Sequence, residues 1–509
     1  MSGGDTVSGW KAFAGVCVLS CGCELAGVGT DQRREVASAV FVVRQPPGDV
    51  ELSLIGAAPL FEAPAVPADG SEERPFPTLR AALRVAPPGT LLMVEEGIWR
   101  ERLVITRSIV LLGRGPGRTR LLAPDGSPSS VEIRGADQVQ IYGMSIEGGA
   151  VGVDVAGGGE HRFEDVVLSG FSTAGLVARN ARLLFSGGQV SDVAGGKAGR
   201  GFDLEGGSIE LRNVVMRAAG RRAVVLHKGI GLFTDLDVRG SSLSALQATD
   251  GADARVVRGI FAGMGGAALY AGAARLSVEG ARVWRGEYAV IGFRGADVTV
   301  TGGLLTDYRN AGIALVVSRG TVQQVEIARG GTEAAISITG KDKNGGIALL
   351  DNRIRDPGTM GVHITQSAVT ARGNTITGAR LDRENDMGDG FYAVDSELAL
   401  EQNFLRGNAG SGVSGVRSRL RMTGNTMLEN GRAGLLLGDR SRGTLSGNLF
   451  QRNRGAGVEV SERSHAALAR NRFGENPGFH IDTGCGAGIA EVESGNTFAV
   501  PRRERACPE

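Results

Sequence analysis

Long apolar runs are missing from this chain: no stretch approaches the ~20 apolar residues of a membrane-spanning helix. An excess of either charge is missing too. The 56 Lys and Arg against 55 Asp and Glu leave a net charge of +1. The signs are mixed along the chain, with no basic stripe for a nucleic-acid partner. Cysteine is scarce. None of the five has metal-ligand spacing, so neither a metal centre nor a cofactor is expected. The Leu-x-x-Leu-x-Leu frame of leucine-rich repeats is absent, and so are the amphipathic runs of about ten residues that helical repeats need. Aromatics are 5% of residues, which suits an interior filled by aliphatic side chains.

What is present is a period. Asn403, Asn425, Asn448 and Asn471 stand 22, 23 and 23 residues apart. Each opens a near-copy of one phrase: NFLRGNAGSGVSGV, NTMLENGRAGLLLG, NLFQRNRGAGVEV and NRFGENPGFHI. A second Asn follows (Asn408, Asn430, Asn453, Asn476), then Gly, then alternating apolar residues. Small residues opening apolar runs carry a similar period back from Gly478 to Gly152. The apolar pattern has period two, as in LVARN, FDLEG, ISITG and VHITQ. Gly, 81 residues, supplies positive φ at tight corners, and Asn tolerates it. Short strands with such corners, one coil about every 23 residues, describe an all-β parallel β-helix of roughly 15–18 coils. Asn352, Asn374, Asn403, Asn425, Asn448 and Asn471 are expected to stack at one corner, each amide bonding the next coil. Leu435, Val458 and Phe479 are expected to point inward together.

Residues 70–113 read GSEERPFPTLRAALRVAPPGTLLMVEEGIWRERLVITRSIVLLG. This resembles the opening cap and first coils of the right-handed parallel β-helix superfamily, which includes pectate lyases, pectin methylesterases, polygalacturonases and alginate epimerases. The later Asn-Gly coils resemble the repeat of carbohydrate-binding proteins and sugar hydrolases of that fold. Thr78 to Ala86 reads as an amphipathic plug with Leu79, Leu83 and Ala86 on one side and Pro87-Pro88 ending it. Such a helical cap covers the hydrophobic end of an open stack. The resemblance covers roughly residues 70–482. It implies a right-handed β-helix whose partner is polysaccharide or cell-envelope glycan. It implies no single activity, because one scaffold hosts many functions. The epimerases' Asp-Pro-His-Asp, the polygalacturonases' Asn-x-Asp and the pectate lyases' Arg-x-Pro-x-x-Arg are all absent.

Lys11, the apolar run Ala12 to Leu19, and Val18-Leu19-Ser20-Cys21 resemble a bacterial lipoprotein signal with Cys21 acylated. Asp5 upstream and Cys17 within the apolar core depart from that pattern. The resemblance implies export to the cell envelope or outer-membrane surface, with the membrane contacted only through the N-terminal lipid. The expected organisation is a signal at 1–21, an N-terminal segment and Pro/Ala linker at 22–69, the β-helix at 70–482 and a tail at 483–509. Val36 to Val43 and Val50 to Ile55 are expected to form a hairpin. In an oxidising compartment Cys485 and Cys507 would pair and fasten the tail.

Chemistry is expected where outward polar residues of successive coils align. The first such patch is Arg179, Asp203, Glu205 and His227. Asp203 and Glu205, at i and i+2, share a strand face about 6.6 Å apart along the backbone. Paired carboxylates of this kind serve glycoside hydrolysis, one as acid and the other as base or nucleophile. The alternative is a solvated face with cross-coil ion pairs. The second patch is His363 and Tyr392 on adjacent coils, flanked by Lys341, Asp342, Lys343 and the excursion Ala379 to Asp389. In the superfamily, β-elimination or epimerisation needs such a base beside a cation that neutralises a uronate carboxylate. Lys341, Lys343, Arg380 and Arg383, with Asp389 on the same loop, are the candidate substrate-binding groups. The favoured function is a non-catalytic surface protein that binds polysaccharide or serves as a rigid element. A uronate lyase, epimerase or glycoside hydrolase is the alternative.

Overall fold

The computed structural model describes residues 39–45 and 67–506, apart from 195, 197, 343–344, 383–385, 492–494 and 500–503. Each regular coil contributes three short strands, one to each of three faces. Met360–Thr365 lies on the first face, Ala368–Arg372 on the second and Thr375–Thr377 on the third. Every one pairs in parallel with its counterpart a coil away: His363 faces Tyr392, Thr370 faces Ala399 and Ile376 faces Leu405. The first-face ladder runs through 18 strands among the described residues. Near the N-terminal end, Gln138–Glu147 and Glu160–Ser169 each run round the corner between the second and third faces.

Alternation puts one set of side chains inside. Val362 and Ile364 are buried while His363 and Thr365 face out. Each fully buried aliphatic contributes about 1.5–3 kcal/mol relative to leaving it in water. The few rings stack in coil register, Phe450 on Phe473 at 5.2 Å and Phe473 on Phe498 at 4.9 Å between centroids.

The corner between the second and third faces takes positive φ coil after coil. Gly supplies it at Gly373, Gly424 and Gly447, but Asp235 (φ 52°), Arg258 (φ 55°), Gln324 (φ 54°) and Arg470 (φ 54°) adopt it too. The next residue is the Asn column. Asn403 donates both its backbone N–H and its side-chain amide to Asn425 Oδ1, each at 2.9 Å, and the pattern runs from Asn352 to Asn496. Two further ladders were not anticipated. Asn408, Asn430, Asn453 and Asn476 repeat the scheme at the end of the third face, and Ser367, Ser396, Ser418, Ser441 and Ser464 chain backbone N–H to hydroxyl at the first corner. Buried corner groups are thereby satisfied within the stack.

One expectation changes. Phe479 does not join Leu435 and Val458 inside; the register is Leu435, Val458, Ile481, and Phe479 lies half-buried under the Arg505 guanidinium. The repeat carries two glycines, and Gly478 packs on Gly455, while His480 takes the place of Gly457. Val40–Val43 pairs in parallel with Thr90–Val94, burying Val42 and Val43 on the first coil, and the other arm of the expected hairpin, 50–55, lies outside the described residues. The expected plug is a helix at Leu79–Val85 that buries Leu79, Ala82 and Ala86 and packs the half-buried Leu83 against the core. Thr78 Oγ1 accepts from the Ala81 N–H, and Glu101 in the first coil accepts from Leu79 and Arg80 N–H, so side chains cap the helix start.

No helix among the described residues is long and apolar enough to cross a membrane. Cys485 is disulfide-bonded, while Cys507 and Cys21 lie outside the described residues.

Candidate functional site

The outward column of the first face runs Glu132, Asp154, Val177, Asp203, Val225, Gln247 through one unbroken register. Two residues along, Arg179, Glu205, His227 and Thr249 form the parallel column. These columns bring Arg179, Asp203, Glu205 and His227 together around a surface pocket of about 360 Å³, joined by Arg200, Lys228 and Asp250. Asp203 is ion-paired to Arg200, and Arg179 reaches back to Asp154 at 3.5 Å. Glu205 stands opposite His227, exposed and without an ion pair among the described residues. The His227 ring Nδ1 lies 2.6 Å from Thr249 Oγ1 and 3.2 Å from Asp250 Oδ2. The Thr249 hydroxyl and the imidazole hold the Asp250 carboxyl below its ordinary range.

Arg200, Arg222, Asp250 and the buried Glu132 were not singled out from the sequence. Glu132 could have been, because it continues the Asp154 column one coil earlier and is gripped by Arg102 and Arg134. Arg222 stands opposite Arg200, and burial together with Arg221 and Arg200 pulls its pKa down. The pocket therefore offers one free carboxylate, Glu205, two tethered ones, Asp203 and Asp250, an imidazole and the cations of Arg179, Arg200 and Lys228. Such a set can hydrogen-bond sugar hydroxyls and hold a charged substituent.

Further along the column, His363 and Tyr392 pair across neighbouring strands, their ring centroids 5.6 Å apart and tilted by 51°. His363 Nε2 lies 3.2 Å from Thr365 Oγ1. Burial lowers the His363 pKa against a smaller opposing pull from Glu333, so the ring is neutral and able to accept a proton near pH 7. Burial, then the nearby Asp389, raises the Tyr392 hydroxyl.

The flanking groups are arranged differently from the sequence picture. Asp389 is buried rather than presented to a ligand. Its Oδ1 accepts from the Ser411 N–H at 2.8 Å and the Ser414 hydroxyl at 2.7 Å, and burial pushes its carboxyl up. Lys341 and Arg380 are exposed; Lys343 and Arg383 lie outside the described residues. The charge acting on His363 is Glu333, which also accepts from the Tyr288 hydroxyl at 3.0 Å. Among the described residues, no group of three or more His, Cys, Asp or Glu is placed to hold a metal ion.

No curated protein matches the chain by sequence. Three solved structures illustrate the architectural likeness. The mannuronan C-5 epimerase AlgE4 A-module of Azotobacter vinelandii is 15% identical, with a TM-score of 0.35 over 67% of this chain and 90% of that one. The catalytic domain of a GH87 alpha-1,3-glucanase is 11% identical, with a TM-score of 0.23, and the match spans 80% of this chain and 64% of that domain. A pectin methylesterase from carrot is 13% identical, with a TM-score of 0.22 over 67% and 83%. At these scores the likenesses carry no argument about activity. Residues 334–499 match the family model described as "Right handed beta helix region", and with the parallel three-faced coils that precede them, the chain is a right-handed parallel β-helix.

Proposed function

We propose that this chain is an exported polysaccharide-binding protein whose contact surface is the first face of the β-helix. The observation that carries the reading is the pocket of Arg179, Asp203, Glu205 and His227, polar groups from three adjacent coils on a rigid, regularly spaced ladder. Polar side chains held on strands in register are preorganised for a repeating ligand. In this reading residues 1–21 are removed, Cys21 carries lipid, 22–69 tether the β-helix of 70–482 to the membrane, and 483–509 close its far end. The working location is the cell envelope. The test is a glycan-array screen of the mature protein beside its Glu205→Gln and His227→Ala variants. Binding to a defined glycan that both variants weaken supports the reading, and the absence of any glycan binding sinks it.

A second reading is a uronate lyase or epimerase, favoured by the contact between His363, a neutral base, and the protonated Tyr392. Here His363 accepts the proton α to the uronate carboxylate and Tyr392 delivers one. The Asp203–Glu205 pair would serve instead if the reaction were hydrolysis. Incubating the protein with uronate polymers and following unsaturated product by absorbance, and epimerised product by NMR, separates enzyme from binder.

A further inference from the structure

We propose that the second face carries a separate binding site for a linear, carboxylate-bearing polysaccharide, lying along the stack between Arg319 and Arg442. The inference rests on the reading of the chain as a glycan-binding protein but concerns a different surface. A groove of about 840 Å³ runs there over successive coils. Small outward residues hollow it out: Gly346 and Ala368 stand in one column, and Ala348, Thr370 and Ala399 in the next. At one end Arg319 is held by Asp297 at 3.2 Å.

The other end is different. Arg419 and Arg421 share one strand face, and Arg442 stands directly opposite Arg419 on the next coil. All three are exposed, and their side chains make no hydrogen bond or ion pair among the described residues. This departs from the chain's own habit. Arg417, two residues before Arg419, bridges Asp395 at 2.7 Å and Asp439 at 2.8 Å across three coils. Glu397 stands opposite Arg419 yet makes no ion pair with it among the described residues. Like charges on facing positions of neighbouring strands repel. An anionic ligand would relieve that repulsion, because guanidinium forks match carboxylates in pairs.

The floor narrows the ligand. Thr321, Thr370 and Thr444 offer hydroxyls along the groove, which suit sugar hydroxyls. Among the described residues no aromatic side chain lines it, so these residues offer none of the stacking platforms on which single-stranded nucleic acids rely. A flat, extended groove with cations gathered at one end fits a linear polymer bearing a carboxylate on each unit.

The experiment is affinity electrophoresis and calorimetry of the full chain with polygalacturonate, using amylose as a neutral control and single-stranded DNA as a second polyanion. The parent should bind polygalacturonate, weaken as salt rises and ignore amylose. The triple variant Arg419→Gln, Arg421→Gln, Arg442→Gln should lose at least about tenfold in affinity, since it removes the charge-assisted hydrogen bonds to the carboxylates. The triple Arg→Lys variant should recover part of it. All should melt with the parent, because these side chains hold nothing else. Arg472→Gln, which removes an exposed guanidinium from the third face, should leave polygalacturonate binding unchanged. Unaltered affinity in the triple Gln variant, equal binding of amylose, or preference for the DNA overturns the proposal. Loss of polygalacturonate binding only in Glu205→Gln overturns it as well, while leaving the first-face reading standing.

Discussion

Asn448 accepts two hydrogen bonds from Asn425 through a single oxygen, one from the backbone N–H and one from the side-chain amide, both at 2.9 Å. Asn448 is fully buried. Asn448→Ala removes that acceptor and strands two donors in the corner, each costing about 1–3 kcal/mol. The variant should unfold at lower temperature or denaturant, read by circular dichroism. Unfolding indistinguishable from the parent would mean that water replaces the ladder at no cost.

Two glycines, Gly320 inside a second-face strand and Gly447 at the corner before the Asn column, should differ sharply. Gly320 has φ 145°, and a Cβ there would sit 1.8 Å from the Val298 carbonyl oxygen of the adjacent coil. Gly320→Ala should destabilise by about 2 kcal/mol or more through clash and strain. Gly447 has φ 65° with open space around it, and Arg470 takes the same conformation one coil on. Gly447→Asn should be close to neutral. Comparing the two melting curves checks both.

Asp389 gives a pH-dependence with a definite sign. Burial raises its folded pKa above the ordinary 3.8, so the folded state holds its proton where the unfolded chain has released it. Stability associated with this group falls as pH climbs from about 3.8 to the folded value, then stays level. Asp389→Asn keeps an oxygen for Ser411 and Ser414 but has no proton to lose. Its stability relative to the parent should improve as pH rises through that window and match it below. Melting temperatures measured from pH 3 to 7 test this, and a constant offset would remove ionisation of Asp389 from the account.

Should uronate lyase or epimerase activity be found, His363→Ala and Tyr392→Phe should each lower turnover by roughly 10²–10⁴. The lowered His363 pKa puts the acid limb of the rate profile below pH 6.5, since the ring must be unprotonated to act as base. Full activity in both variants would move the chemistry to Asp203 and Glu205.

For the N-terminus, mass spectrometry of protein taken from its native membrane should find residues 1–21 missing and Cys21 lipidated. An intact Met1 would refute export by this route.

The coil was legible because two periods follow directly from its geometry. Alternation marks the strands, and the roughly 23-residue repeat marks the circumference; the outward column built from them falls in register from Asp154 to Glu459, and its neighbour from Arg179 to Thr365. Side-chain direction at corners was not legible. Asp389 sits among cations in the sequence, yet it turns inward to Ser411 and Ser414, contributed by the following coil. No local pattern reports a partner 22 residues away. Likewise the charge acting on His363 is the anionic Glu333, just before the strand Ala334–Thr339 that pairs with the His363 strand, where the sequence led one to expect the cation of Lys341. The second-face groove escaped notice because Gly346, Ala368 and Ala399 read as ordinary alternation; only their stacking makes a hollow.

The corner that carries the Asn column does not begin with Asn. In earlier coils the same position is held by the buried Val214, Leu236, Ala281 and Val325 or by glycine, at Gly188, Gly259 and Gly303, and Asn352 takes over from there. The rod is thus a composite of two materials joined near its middle. One seam is sealed by burial of apolar groups, a force that weakens on cooling. The other is sealed by amide hydrogen bonds, which do not share that dependence. In a stack where each coil feels mainly its neighbours, stability is a sum of local terms. Cold should therefore loosen the N-terminal half first, and a chill-induced break would stop where the amides begin.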